Sequence, residues 1–305
     1  MKVLIATEKP FAPVAVEGIK KEIEDAGFDL AILERYNDRN QLMEAVKEVN
    51  AIIIRSDVID NEIFDVAKDL KIVVRAGAGY DNVDLNAATE HGVVVMNTPG
   101  QNSNAVAELV FGLLVFAVRN FYNGKAGSEL MGKKLGILAF GNVGRNVARI
   151  AKGFGMKVCA YDAFCPDKVI EEAGVEVVKN QEELFKNSDI VSLHIPATPE
   201  TKQSIDYHLA GLMKQGGIIV NTARKEVINE PEILKLMTDR SDIKYITDIK
   251  PDLDQEFAKF EGRYFSTPKK MGAQTAEANI NAGIAAAKQI VAFFKDGSTK
   301  FQVNK

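Results

Sequence analysis

The stretch "LGILAFGNVGRNVARIAKGFG", residues 135–155, begins as an apolar run, turns at a glycine pair and continues with apolar residues at helical spacing. Strand, tight turn and helix is the order of a dinucleotide-binding βαβ unit. Ala139 stands where the first fingerprint glycine would be, with Gly141 and Gly144 at the second and third places. The second glycine lets backbone approach a pyrophosphate and the third lets helix pack on strand. The helix N-terminus then supplies free N–H groups and positive dipole. Asp162 lies 21 residues after Gly141 and ends the next run, "VCAYD". A carboxylate there can accept hydrogen bonds from both ribose hydroxyls and repels a 2′-phosphate. NAD rather than NADP is the expected cofactor. A helix-capping aspartate is the plainer alternative for this residue taken alone.

Apolar runs rich in Val and Ile continue on both sides of that unit. On the N-terminal side they are "KVLIAT" (2–7), "LAIL" (30–33), "AIIIR" (51–55), "KIVVRAG" (71–77) and "GVVVM" (92–96). The second series is "KLGILAF" (134–140), "MKVCAYD" (156–162), "VEVV" (175–178), "DIVSLH" (189–194), "GIIVNT" (217–222) and "IKYITD" (243–248). Short strands separated by helix-length segments specify parallel sheets. The fold class is therefore α/β with parallel sheets, the second with about as many strands as a doubly wound domain needs, and the length of 305 residues suits two cores. Between the two series lies an apolar helix near 103–121, and an Ala-rich helix over 275–295 follows the second.

A chain 46% hydrophobic and 26% charged has the balance of a globular protein. Its net charge of -4 and scattered lysines and arginines give no reason to expect nucleic acid. The N-terminal run is broken by Glu8, Lys9 and Pro10, so no signal peptide is expected, and the compartment expected is the cytoplasm. "LVFGLLVFAV" (109–118) is about half a membrane span and reads as a buried helix, so no membrane is expected. Cys159 and Cys165 form neither a disulfide framework nor a metal cluster, and two free thiols are expected.

Several motifs together resemble the D-2-hydroxyacid dehydrogenase family. They are "IIIRSDVID", "VVRAGAGYDNVDL", "VVVMNTPGQNSNAVAELVFG", "GKKLGILAFGNVGR", "DIVSLHIPATPETKQSI", "LMKQGGIIVNTARKEVINE" and "TPKKMGAQTAEA". "RAGAGYDNVD" and "NTPGQNSNAVAEL" point especially to its phosphoglycerate branch. The resemblance implies a flavodoxin-like substrate-binding domain (1–97 plus 281–305), a Rossmann NAD domain (98–280) and a cleft between them. It implies a homodimer acting on a phosphorylated 2-hydroxy acid, in a short form with no appended regulatory domain.

It also implies roles for particular residues. Arg224 in "NTAR" matches the catalytic arginine, whose planar fork can hold a carboxylate bidentately. Ala76, Gly77, Ala78 and Gly79 match the loop that cradles that carboxylate, and Arg55, Arg75 and Asn102 match pocket-lining positions. Asn142 and Val143 match the pyrophosphate turn. The remaining cofactor positions are His194, Pro196, Thr201, Thr222, Ala223, Asp248 and Gly272. His194 matches a cofactor-contacting strand end rather than a base. His91 and His208 are expected on solvated faces.

Two departures stand out. The family's base is a histidine after the Thr-Pro pair, supported by a glutamate. Here its place falls on Lys269 counted from "TP", or on Lys270 counted back from "GA". The glutamate's place is Leu253, with Asp252, Asp254 and Glu256 nearby but none in register. A lysine starts near pKa 10.4 and must come down to act as a base near neutral pH, which a carboxylate neighbour opposes. One lysine as acid/base is thus one expectation, and two lysines as phosphate ligands is the other. Secondly, "NFYNGKAGSELMG" (120–132) is short and lacks the tryptophan and arginines that in some relatives reach the neighbouring subunit. The functional alternatives are a glyoxylate or hydroxypyruvate reductase and a non-catalytic NAD-sensing protein.

Overall fold

The computed structural model describes residues 1–304. The chain forms two compact units, residues 1–102 with Gln274 onward, and Ser103–Ala273. The limits expected from the sequence were 97 and 280. Residues just past 97 stay with the first unit because Thr98 N–H bonds Gly77 O at 2.9 Å and Asn97 Nδ2 bonds Ala78 O at 2.6 Å.

The first unit holds a parallel sheet of β1 (Lys2–Thr7), β2 (Asp29–Glu34), β3 (Ala51–Ile54), β4 (Ile72–Arg75) and β5 (Val94–Asn97), in the order β2-β1-β3-β4-β5. That is the flavodoxin-like order. Successive side chains point to opposite faces, and both faces are buried. Val3, Ile5 and Ile53 pack with Ile19 and Ile23 of α1 (Pro13–Asp25) and Ala286 and Ile290 of α12 (Ala276–Asp296). Leu4, Ala6, Ile52 and Ile54 pack on the other face with Leu42, Ile63 and Phe64. The Ala-rich composition of α12 gives a slim flank that lies against α1, the most extensive helix contact of the chain. Thr275 caps its start by accepting from Ala278 N–H, and Gly297, at φ 66°, ends it in the left-handed conformation.

The second unit holds β6 (Lys134–Leu138), β7 (Lys157–Tyr161), β8 (Glu176–Val177), β9 (Ile190–Leu193), β10 (Ile218–Asn221), β11 (Lys244–Thr247) and β12 (Tyr264–Ser266). Their order is β12-β11-β10-β9-β6-β7-β8, all parallel. The chain runs outward from β6 through β7 to β8, returns to the other side of β6 with β9, and continues to β12. This is the Rossmann order with one added strand, and its topological switch point lies between β6 and β9. Ligands of such sheets bind at the C-terminal ends of the strands beside that point.

The expected buried helix is α5 (Ser103–Val118), whose Val110, Leu114 and Ala117 are fully enclosed in the core on one face of this sheet. Among the described residues no helix is long and apolar enough to cross a membrane. Both cysteines are free.

Candidate active site

The turn from β6 into α6 (Asn142–Gly153) has the shape the glycine pattern implies. Ala139 adopts φ 77°, the left-handed region that the family's first glycine would enter without strain. A Cβ at Gly144 would collide with the Ala139 carbonyl oxygen, so only glycine lets the helix sit this close. A Cβ at Gly141 meets nothing within 4 Å, which leaves open space in front of the α6 N-terminus. The N–H groups of Asn142, Val143 and Gly144 lie in its first turn, where no intrahelical acceptor exists.

Asp162 is not a helix cap. The N-cap of α7 (Asp167–Glu172) is Pro166. The Asp162 carboxylate instead ties the two ends of the nucleotide unit together. Phe140 N–H donates to its Oδ2 at 2.7 Å, and Phe164 and Cys165 N–H donate to its Oδ1 at 2.8 and 2.9 Å. A carboxylate has about four lone-pair sites, so acceptor capacity remains for a ribose.

His194 follows β9. Its ring Nε2 lies 2.8 Å from Ser192 Oγ, and burial pushes its pKa down to about 3, so the ring stays neutral. Pro196 O and Thr201 are joined by a 2.6 Å hydrogen bond from the Thr201 hydroxyl, which also accepts from Thr198 N–H at 2.8 Å. That hydroxyl is therefore spent on shaping its own loop. His208 is exposed, 3.3 Å from Glu182 Oε1. His91 is part-exposed: it stacks on Phe64, hydrogen-bonds Ala87 O at 2.9 Å and lies 3.1 Å from Asp65 Oδ1.

The C-terminal ends of β10, β11 and β12 form a connected polar strip. Asn221, wholly buried, accepts from Ala223 N–H at 3.0 Å and donates from Nδ2 to Arg224 O at 2.9 Å. Arg224 Nη1 donates to Ala223 O at 2.9 Å, and Lys270 Nζ donates to the same oxygen at 3.0 Å. Asp248 Oδ2 accepts from Gly272 N–H at 2.7 Å and Met271 N–H at 3.3 Å. Thr267 Oγ1 bonds Asp248 O at 2.9 Å and Lys269 O at 2.7 Å. These bonds fix the register of the inserted loop. Lys270 is brought beside Arg224, and both lysines are exposed.

Burial holds the Asp248 carboxyl above its usual range, opposed chiefly by the Gly272 N–H and by the charges of Lys270 and Arg224. The acids near the vacant glutamate place are engaged elsewhere. Asp252 pairs with Lys225 at 2.6 Å, and Asp254 accepts from the Tyr264 hydroxyl at 2.7 Å. Glu256 is exposed, and Leu253 packs into the apolar core.

In the first unit, Arg55, Arg75 and the loop 76–79 gather at the C-terminal ends of β3 and β4. Arg55 donates to Lys9 O (2.9 Å), Pro10 O (3.1 Å) and Asn279 Oδ1 (2.6 Å), and it lies over the Phe11 ring. Burial lowers its pKa, with Asp57 partly opposing. Arg75 Nε donates to Arg55 O at 2.9 Å. Gly77, at φ 153°, leaves the space that the Arg75 guanidinium fills. Asp57, 3% exposed, accepts from Glu8 N–H (2.8 Å), Arg55 N–H (3.1 Å) and the Tyr36 hydroxyl (2.7 Å). Asn102 is half-buried just before α5.

Sequence reasoning missed Asn221, Asp57 and Asn279. The first two had a local signal, lying within three residues of Arg224 and two of Arg55. Asn279 reaches Arg55 across 224 residues and had none.

The second unit passes a test for a dinucleotide on its own atoms. Thr222 Oγ1 and Asp248 Oδ1 are buried without a hydrogen-bond partner, at the ends of β10 and β11. Buried polar atoms left this way call for an outside partner. The open space at Gly141 and the Asp162 carboxylate supply the other half of such a site.

Comparison with known proteins agrees. Residues 117–261 match the model for the D-isomer specific 2-hydroxyacid dehydrogenase NAD binding domain. A D-3-phosphoglycerate dehydrogenase of Methanocaldococcus jannaschii is 35% identical over 83% of this chain and 51% of its own length. The chain thus spans about half of that relative. A hydroxypyruvate reductase of Thermotoga maritima is 36% identical over 86% of this chain and 90% of its own. The NAD+-bound crystal structure of 3-phosphoglycerate dehydrogenase from Entamoeba histolytica is 47% identical, with TM-score 0.88, over 100% of this chain and 99% of that one. The chain belongs to the D-isomer specific 2-hydroxyacid dehydrogenase family, a family of NAD-dependent oxidoreductases, and its second unit is the family's NAD-binding domain.

Proposed function

We propose that this chain is a D-3-phosphoglycerate dehydrogenase, interconverting 3-phosphoglycerate and 3-phosphohydroxypyruvate with NAD. The observation that carries the reading is the 47% identity, over essentially the whole of both chains, to the Entamoeba histolytica enzyme. The first unit is then the substrate-binding domain, with Arg55 and Arg75 as its cations and the loop 76–79 as a carboxylate cradle. The second is the NAD domain. NAD, when bound, would supply the acceptor for the hydride of C2. Asp248 and Thr222 would hold its carboxamide, Asn142 and Val143 its pyrophosphate, and Asp162 its ribose.

Arg224 holds the substrate carboxylate and polarises the C2 oxygen. Lys270 moves the proton. As an ammonium it donates to the 2-oxo group during reduction, and as a neutral amine it takes the hydroxyl proton during oxidation. Its neighbour Asp248 favours the ammonium. Reduction is therefore favoured at neutral pH, and oxidation speeds up as pH rises. A homodimer in the cytoplasm completes the reading, with light scattering on the purified protein as the check of assembly.

The test is NADH oxidation with 3-phosphohydroxypyruvate, glyoxylate and hydroxypyruvate, for wild type, Arg224→Ala, Lys270→Ala and Lys269→Ala. The expected order is strongest turnover on the phosphorylated acid, competition by inorganic phosphate, and a loss of about 10²–10⁴-fold in Lys270→Ala. Preference for glyoxylate or hydroxypyruvate would replace the substrate, in line with the Thermotoga maritima relative. NADH binding without turnover on any 2-oxo acid would leave a nucleotide-sensing protein. Loss in Lys269→Ala alone would move the acid/base role one residue, and near-normal turnover in both lysine variants would reduce them to phosphate ligands.

A further inference from the structure

The Ala223 carbonyl is an unusual acceptor. Backbone carbonyls at the end of a buried strand ordinarily pair with the next strand or turn, whereas this one carries two cationic donors from different segments. Arg224 Nη1 sits at 2.9 Å and Lys270 Nζ at 3.0 Å. The two nitrogens are therefore no more than about 6 Å apart, held by one oxygen. What frees that oxygen is the side chain of Asn221. By accepting from Ala223 N–H and donating to Arg224 O, its carboxamide brackets the peptide unit that bears the carbonyl, on both sides. A side chain bonding the backbone two residues on is an Asx-turn, and here the second bond closes it.

Asn221 is itself fixed from behind. Thr247 Oγ1 donates to Asn221 O at 2.9 Å, and Asp248 N–H donates to the same oxygen at 3.2 Å. The carboxamide is 0% exposed, so water cannot substitute for either of its bonds. Its place at the end of β10 is thus rigid on one side, and on the other it dictates where a carbonyl points.

Resting on the catalytic reading above, we propose that Asn221 is the positioning residue of this site, holding the Ala223 carbonyl so that Arg224 and Lys270 dock on it together. Both of its polar atoms are spent on the turn. It acts through the turn, and it ties the arginine of one segment to the lysine of the inserted loop. Among the charged groups around Lys270 are Arg224 from the turn after β10 and Asp248 from the end of β11, with Lys269 next to it in sequence. Changing Asn221 removes none of these charges, but Arg224 shares the carbonyl and moves with it, so a shift at Lys270 reports the docked pair.

The experiment compares wild type, Asn221→Ala and Asn221→Asp by two readouts, each taken well below the melting temperature of the weakest variant. The first is kcat and KM for NADH-dependent reduction of 3-phosphohydroxypyruvate across pH. The second is the pH dependence of Lys270 acetylation, followed by mass spectrometry, which needs no turnover. Misplacing two catalytic groups predicts a kcat loss of about 10–100-fold in Asn221→Ala, with NADH affinity held within about threefold. A carbonyl acceptor favours the ammonium form, so its loss moves the alkaline limb of kcat and the Lys270 labelling midpoint to lower pH. Asn221→Asp keeps the acceptor for Ala223 N–H and loses the donor to Arg224 O, so its kcat should fall between the two, while its added carboxylate favours the Lys270 ammonium and moves the labelling midpoint to higher pH.

Should Asn221→Ala fail to fold, Asn221→Ser, neutral and too short to bracket the turn, carries the test by the same readouts. Unchanged kcat in the variants would overturn the proposal, as would a loss of kcat with both the alkaline limb and Lys270 labelling unmoved, since that is what mere loosening of β10 would give. If wild type reduces no 2-oxo acid, the catalytic reading falls. Labelling then decides the positioning role alone, a fixed midpoint overturning it and a shifted one supporting it.

Discussion

The two sheets of this chain present similar edges and treat their polar groups in opposite ways. At the C-terminal edge of the first unit the charges are already satisfied from within. Arg55 has three protein acceptors and an aromatic ring, and Asp57 accepts from three donors. The buried atoms left over there are neutral, Thr98 Oγ1 and Gln289 Oε1, the latter on the side chain that bonds Asn97 O at the end of β5. At the corresponding edge of the second unit, Thr222 Oγ1 and Asp248 Oδ1 are both left without partners, and Gly141 faces open space. A satisfied polar network rigidifies, whereas an unsatisfied one holds free energy that a ligand can recover. The first edge fixes its charges by internal bonds, and the second leaves a hydroxyl and a carboxylate oxygen unpaired.

The largest effect that would break this comparison is in the first unit. Replacing Asp57 by alanine strands two N–H groups and a tyrosine hydroxyl in a buried place. A loss of about 3–5 kcal/mol is expected in denaturant unfolding, with NADH affinity of the folded fraction unchanged. A weakened NADH affinity would show that the satisfied edge also serves the cofactor.

Asp248→Asn should do the reverse. Its carboxyl is held above the usual range by burial, so the neutral amide should leave the apo protein as stable or more so. NADH binding should weaken about tenfold, roughly the worth of one charge-assisted hydrogen bond. Fluorescence titration of NADH beside thermal melts would read both, and tighter binding would refute the idea that Oδ1 waits for a donor.

His194 gives a smaller, pH-dependent signal. Its folded pKa of about 3 lies below the unfolded value near 6.5, so the unfolded chain binds the extra proton between these limits. Stability should therefore fall, as pH drops from 6.5 towards 3, by about 1.4 kcal/mol per unit from this group alone. His194→Gln should remove that component of the slope, measured by urea unfolding at several pH values. The smallest change is Ala139→Gly. At φ 77° the alanine carries left-handed strain, and its removal should raise stability by about 1 kcal/mol, with NADH affinity kept.

Much of this was legible beforehand because it is local. Residues alternating along β1 or β10 send every second side chain to the same face, so hydrophobic runs alone placed eleven of the twelve strands within a few residues. The twelfth, β12, is only three residues long and carries no such run. The glycine turn and Asp162 are set by spacing within one βαβ unit, and the structure brings them together as that spacing requires. Asp162 was ambiguous only as long as the backbone N–H of Phe140, 22 residues away, was out of view.

The sequence by itself determined the architecture, the nucleotide turn and the absence of histidine from the expected place, since each is written in contiguous residues. It left open which lysine takes that place, because one inserted residue can be counted from either end. Only tertiary structure sets one of them against the Arg224 turn. Thr267 and Asp248 pin the loop by bonds spanning 19 and 24 residues, and Lys270 then meets a carbonyl 47 residues away. Arg55 likewise found its clamp in α12, and Ala223 its bracket in a wholly buried asparagine. Such contacts depend on how strands far apart in the chain register against one another. Periodicity, which speaks only of near neighbours, carries no record of them.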